Sequence, residues 1–198
     1  MRIKGILLLT LLLFAMESFT QRMLVPFKND KDKWGFRDMI DDKVVIKPRY
    51  DETGFSFKNG LCWVRLDKKY GFINEDGKMI VPATYDFVSE FSEGLAVVNM
   101  GRKVTEDIGD YVPGKFGFID STGKVVVPLQ YSRAEFFHEG RALVEKDDKI
   151  GFIDLNGNLV IPAIYYVGDL YFKNGKVQVV LENGDEIYID KDGNRVEE

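Results

Sequence analysis

The hydrophobic positions of this chain recur in short blocks rather than in a helical rhythm. An aromatic-Gly-Phe segment appears as WGFRD at Trp34, YGFIN at Tyr70, FGFID at Phe116 and IGFID at Ile150, with a degenerate EIYID at Glu186. Each is followed by a polar turn, a β-branched block closing on proline, a tyrosine, and a Phe-x-x-Gly before the next apolar block. Short blocks rich in Val, Ile, Phe and Tyr, bounded by Gly, Asp and Asn, predict β-strands. The intervals from Gly35 through Gly71, Gly117 and Gly151 to Ile187 are 36, 46, 34 and 36 residues, so a period of about 35 holds apart from one insertion.

Within the period, Pro48, Pro82, Pro128 and Pro162 mark one place, Tyr50, Tyr85, Tyr131 and Tyr165 a second, and Gly60, Gly94, Gly140 and Gly175 a third. The turn is the best determined piece. Asn74-x-x-Gly77, Asp120-x-x-Gly123, Asp154-x-x-Gly157 and Asp190-x-x-Gly193 fit a three-residue hairpin loop whose glycine takes the left-handed conformation, where a β-carbon costs about 1–2 kcal/mol. Asp120 and Lys124 are then expected to face each other across the strands. Pro128, which donates no ladder hydrogen bond, is expected to stop its strand, and Gly117 to let an aromatic ring of an adjacent unit lie against the backbone.

The unit predicted from this order is a three-stranded meander, for example Ala142 to Val144, Gly151 to Asp154 and Leu159 to Pro162. Nearly every residue in the inner strands is apolar, so both faces must be covered, and one isolated hairpin is marginal. The expected fold is therefore all-β: an array of about five stacked antiparallel meanders, over residues of about 23–48, 61–82, 95–128, 141–162 and 176–196. An open, solenoid-like array is favoured because no device for pairing the first strand with the last is visible. A small β-propeller is the alternative.

These units resemble the WG repeat family, also called KWG repeats, whose pattern runs K-W-G-F-I-D-x-x-G-K-x-V-I-P-x-x-Y-D and then F-x-x-G-L-A-x-V. The resemblance covers about Lys33 to Val196 and rests on Gly, Pro, Tyr and Gly recurring in phase. Trp34 alone keeps the naming tryptophan, which Tyr70, Phe116 and Ile150 replace. The first hairpin, Arg37 to Lys43, is two residues longer and lacks the turn glycine. The last unit has Ile187 in place of Gly and neither the Pro nor the Tyr of the later pattern. Membership implies a repeat scaffold and no shared enzymatic activity.

Composition agrees with strands and tight turns, with 15 Phe, 9 Tyr and 19 Gly in 198 residues. A net charge of -5, with Lys and Arg scattered among carboxylates, argues against nucleic acid as a partner. Arg2 and Lys4 followed by the ten apolar-run residues Ile6 to Ala15 read as an export signal. That run is too short to span a bilayer. Ser18 and Thr20 suit a cut before Gln21, so residues 1–20 are expected to be a signal peptide and 21–198 the repeat domain, without a membrane span in the mature chain and located in the periplasm or outside. Cys62 is the sole cysteine and stands where later units have Ala96 and Ala142, which fits a buried, inert thiol.

Candidate chemistry is sparse. His138 is the single histidine, which excludes a multi-histidine metal site, and no cofactor is implied. Asp190-Lys191-Asp192-Gly193-Asn194 lacks the acids a calcium loop needs. The informative irregularity is residues 99–115, an insertion into a tight hairpin, carrying the candidate binding residues Arg102, Lys103, Asp107, Asp110 and Tyr111. The expected function is an exported, non-catalytic repeat scaffold that binds a protein or an envelope glycan. The alternative is an envelope glycan hydrolase of glycoside hydrolase type, using carboxylates on turns or the insertion.

Overall fold

The computed structural model describes residues 22–101, 103–104, 111–112, 114–166 and 168–198, with 103–104 and 111–112 described by backbone alone. The expected leader lies outside the described residues. The rest is strand and turn, with no helix among the described residues.

The first sheet holds β1 (Leu24–Lys28), β2 (Trp34–Asp38) and β3 (Val44–Tyr50). The second holds β4 (Glu52–Thr53), β5 (Leu61–Leu66), β6 (Lys69–Asn74) and β7 (Met79–Tyr85). In the third, β8 (Phe87–Val88) and β9 (Leu95–Met100) join β12 (Lys115–Asp120) and β13 (Val125–Tyr131) through a direct β9–β12 pairing, and the chain between β9 and β12 carries a separate ribbon of β10 (Lys103–Val104) and β11 (Tyr111–Val112). The fourth holds β14 (Arg133–Ala134), β15 (Ala142–Lys146), β16 (Lys149–Ile153) and β17 (Leu159–Tyr165), and the fifth β18 (Lys176–Val180), β19 (Glu186–Asp190) and β20 (Arg195–Val196). All pairings are antiparallel and follow chain order.

The three expected strands are present in every unit, and the middle three sheets gain a fourth. The link after the tyrosine contributes a two-residue edge strand, β4, β8 or β14, which covers the outer side of β5, β9 or β15. Two residues carry no readable periodicity, so this strand left no mark in the pattern.

Turn geometry follows the sequence. Gly77, Gly123, Gly157 and Gly193 have φ of 77°, 86°, 84° and 84°. Asp120 and Lys124 face each other at the mouth of the turn, where the Asp120 N–H donates to the Lys124 carbonyl at 2.9 Å, but the close contacts of the Asp120 carboxylate are with the turn itself. Its Oδ1 accepts the backbone N–H groups of Thr122 and Lys124 at 2.9 and 3.1 Å. Asp154 and Asp190 cap their own turns in the same way. The aspartate of the GFID segment is thus a turn cap.

The expectations for Gly117 and Pro128 need correction. β13 does not stop at Pro128 but runs on to Tyr131, and the register jumps from Phe118↔Val127 to Phe116↔Tyr131. The extra residues form a bulge, one of the few places in a sheet that accepts proline. That bulge folds back on Gly117, where a β-carbon would lie 2.5 Å from the Val127 carbonyl oxygen and 2.9 Å from the Pro128 carbonyl carbon. The glycine makes room for its own unit's backbone, not for a neighbour's ring. In the first unit the longer loop also shifts the phase. Phe36↔Ile46 matches Phe72↔Val81, so Lys47 takes the place of Pro82 and Pro48 that of Ala83.

Stacking supplies the core. Four buried clusters each join two consecutive sheets, and none joins the fifth sheet to the first among the described residues. The recurring bond between units is aromatic. Phe36, Phe72, Phe118 and Phe152 meet Phe57, Phe91, Phe137 and Phe172 of the following link at centroid distances of 5.0, 4.8, 5.1 and 5.0 Å. Tilted and edge-on pairs of this kind add about 0.5–1.5 kcal/mol each beyond burial. Along β9 and β12 both faces are covered, whereas the outer strand β13 alternates between buried and exposed positions.

Candidate functional site, an aromatic groove between the first two units

The groove is built from one small residue where the repeat has a large one. By register, Pro26↔Phe36 in the first sheet corresponds to Trp63↔Phe72 in the second. In the second unit the Trp63 indole fills this position and lies 5.8 Å from the Tyr70 ring. In the first unit Pro26 leaves it open. The result is a groove of about 170 Å³ lined by Pro26, Trp34, Glu52, Thr53, Phe55 and Trp63. Both tryptophans of the chain line it, and Phe55 beside it is 82% exposed.

The polar groups around the groove are tied down. Arg65 Nη2 donates to Glu52 Oε1 at 2.6 Å, and the Tyr70 hydroxyl donates to Glu52 Oε2 at 3.3 Å. Thr53 Oγ1 donates to the Trp63 carbonyl at 3.2 Å. Gly54 is required beneath Trp63, since a β-carbon there would sit 2.9 Å from the indole nitrogen. At the edge of the site Lys28 Nζ lies 5.6 Å over the Trp34 ring, and Lys33 pairs with Asp51 at 2.5 Å. The second unit repeats that last pair as Lys69 with Asp86. The lysine before the aromatic is therefore part of the scaffold.

Cys62 lies behind this groove, 2% exposed among Val64 and Ile73. Burial pushes its thiol up to about 11, opposed by the Thr53 hydroxyl, so the thiolate is scarce at neutral pH. The inert reading of this cysteine agrees with its surroundings.

The insertion gives less. Lys103 and Tyr111 fall on the β10–β11 ribbon, paired as Lys103↔Val112 and Val104↔Tyr111. Arg102, Asp107 and Asp110 lie outside the described residues. His138 sits 5.1 Å from Tyr171, with its Nδ1 buried and without a hydrogen-bond partner among the described residues. No group of three His, Cys, Asp or Glu among the described residues could hold a metal. Neither is any described helix long and apolar enough to cross a membrane. The groove was missed because sequence reading took Trp34 as a motif letter. The available signal was Trp63, an indole at a position where other units carry Val97 and Leu143.

Comparison with known proteins agrees with this architecture. A crystal structure of a eukaryotic initiation factor superposes with a TM-score of 0.55 at 9% identity, over 90% of this chain and 52% of that one. At that identity the likeness is one of fold alone, and the chain spans about half of that structure's length. Looser similarities are to Hsv2 of Kluyveromyces lactis (TM-score 0.41, 13% identity, 86% of this chain and 58% of that one) and to the WD40 beta propeller domain of Doa1 (0.35, 12%, 88% and 64%). No curated protein matches. The family model described as WG containing repeat matches residues 34–70, 70–103, 116–149 and 150–184 in succession. Those matches take in the aromatic-Gly-Phe segments, turns, bulges and Phe-x-x-Gly links of four units, and the chain belongs to the WG repeat family.

Proposed function

We propose that this chain is an exported, non-catalytic repeat scaffold that binds a protein or envelope ligand, with the Trp34–Trp63 groove as its contact site. The observation that carries the reading is that groove: two tryptophans and an exposed phenylalanine gathered where Pro26 stands in place of a larger residue. Large aromatic side chains at a concave, mostly apolar surface are what recognition sites use. Export rests on the charged and apolar pattern of residues 1–20. Among the carboxylates the turn caps Asp120, Asp154 and Asp190 and the turn residue Glu139 are all held below the ordinary carboxylate range by hydrogen bonds from backbone or neighbouring side chains. A glycosidase acid needs the opposite shift.

The test is capture of partners from an envelope fraction by the wild type, by a Trp34→Ala/Phe55→Ser variant, and by a chain with residues 100–113 shortened to a four-residue turn. The groove variant is expected to lose partners that the shortened chain keeps. Loss only on shortening moves the site to the insertion, and equal capture by all three ends the reading.

A further inference from the structure

Among the described residues the first sheet shows no counterpart of the short edge strand that covers β5, β9 and β15, and nothing pairs with the outer edge of β1. In the other units this short segment makes the same two bonds each time. Asp51 and Gly54 donate backbone N–H to the carbonyls of Arg65 and Trp63 at 2.8 and 3.0 Å, Asp86 and Ser89 to Asn99 and Val97, Ser132 and Glu135 to Glu145 and Leu143, and Tyr166 and Asp169 to Val180 and Gln178. The equivalent carbonyls in the first unit are those of Lys28 and Pro26. Pro26 fits an edge that points outward, because its missing N–H is not needed there.

We infer that the β1 edge is a receptor for an extended peptide strand, which takes beside β1 the place that β4, β8 and β14 take beside β5, β9 and β15, and inserts one side chain into the aromatic groove. The template fixes the chemistry of that peptide. Its first residue donates N–H to the Lys28 carbonyl, as Asp51 does to Arg65. Its second stands where Glu52 meets Arg65 at 2.6 Å, so an acidic residue there faces Lys28 and shares its ammonium with Asp32, which pairs with it at 2.8 Å. Its fourth donates N–H to the Pro26 carbonyl, as Gly54 does to Trp63. In the second unit that fourth position must be glycine because Trp63 occupies the space. Over Pro26 the space is the groove itself, and a large apolar side chain enters it. The recognised pattern is acidic-x-large apolar on an extended backbone, a form of strand addition with one specificity pocket.

This inference rests on the binding-scaffold reading, and its test separates the two. Trp34 and Trp63 are the only tryptophans of the chain, so intrinsic fluorescence reports occupancy of the groove directly. The probe is a synthetic octapeptide carrying Thr-Glu-Thr-Phe at its centre, titrated into the purified chain. A saturable change is expected, weakened roughly tenfold or more by N-methylation at the first and fourth central residues, which removes both backbone donors. Pro26→Trp, which places in the first unit the residue the second already carries, is expected to abolish binding. Lys28→Glu is expected to reverse preference in favour of a peptide with Lys in place of Glu, a result that does not depend on unchanged stability. No saturable change, an N-methylated peptide that binds equally, or displacement by a neutral oligosaccharide overturns strand addition. If partner capture still depends on Trp34 and Phe55 in that case, the scaffold reading stands and this one falls.

Discussion

Among the described residues the third unit is walled in by neighbours on both sides and the first on one side only, and the repeat changes where that wall is not seen. In the third unit Ile119 is fully buried against the second unit, and Ile73, Ile153 and Ile189 do the same in theirs. The first unit has Arg37 at this position, exposed, paired with Asp42 at 2.9 Å and lying 5.7 Å over the Phe27 ring. The far end behaves alike. Where inner units carry Val97 and Leu143, the fifth has Gln178, which donates to Glu186 at 2.8 Å, and Lys176 lies 5.4 Å over Tyr188. One backbone plan thus serves two surfaces, and the side chain at each position is decided by what covers it.

Exchanging the two versions of that position is the strongest way to break the comparison. Ile119→Arg is expected to cost about 4 kcal/mol or more, because it buries an unpaired charge. Arg37→Ile is expected to stay within about 0.5 kcal/mol, as surface changes do, while promoting self-association visible by sedimentation at raised concentration. Denaturant midpoints give both values. Similar costs for the two would mean that the first unit's face is covered after all.

Next in size is the aromatic bond between units. Phe118→Ala removes a side chain with 0% exposure from the cluster shared by the third and fourth units and is expected to cost about 3–5 kcal/mol. Phe55→Ala, at 82% exposure, should leave stability within about 0.5 kcal/mol. A large loss at Phe55 would show that it holds the fold rather than awaits a ligand.

The bulge gives the third test. Gly117→Ala presses a β-carbon onto backbone that has nowhere to move, at a cost of about 3 kcal/mol. The fifth unit carries Ile187 at the equivalent position without strain, since β20 pairs only through Tyr188↔Val196 and Ile189↔Arg195 and has no proline bulge to meet it. If Gly117→Ala is as stable as wild type by thermal melting, the close approach of Val127 is not what keeps this glycine.

These cases also show what could be read in advance. Turns such as Asp120 to Lys124 are local: the cap, the glycine and the spacing lie within five residues, and the pattern states them outright. The stack of Phe118 on its neighbour was legible because four phenylalanines recur in phase. Pro128 was misread because a strand stop and a bulge leave the same residue in the sequence, and only the partner strand distinguishes them. The groove depends on a comparison across units, the small ring of Pro26 standing where Trp63 stands in the next. Its existence is set by what is missing, which no single block of sequence displays.

The smallest expected effect lies in the row of turns along the links. Asn59, Glu93, Glu139 and Asn174 all have φ near 50°, at 52°, 50°, 52° and 53°. Asparagine tolerates this left-handed conformation better than glutamate does. The glutamates sit at the two inner links, where each reaches the following turn. Glu93 accepts the Gly140 N–H at 2.8 Å, and Glu139 accepts those of Asn174 and Gly175 at 2.9 Å each. The Gly175 N–H, partly opposed by burial and helped by Lys191, holds the Glu139 carboxyl below the ordinary range. A carboxylate depressed in the folded state contributes stability that is fully present above its unfolded value of 4.5 and is lost as pH falls through the lower folded value. Glu139→Gln keeps an acceptor for the next turn but cannot titrate. Its melting temperature should therefore fall less steeply than the wild type's as pH is lowered from 4.5, while Asn59→Gln, a change in a turn without that reach, leaves the slope as it was. Parallel slopes for the wild type and Glu139→Gln would show that the inner turns, like the outer ones, are held by their backbone conformation alone.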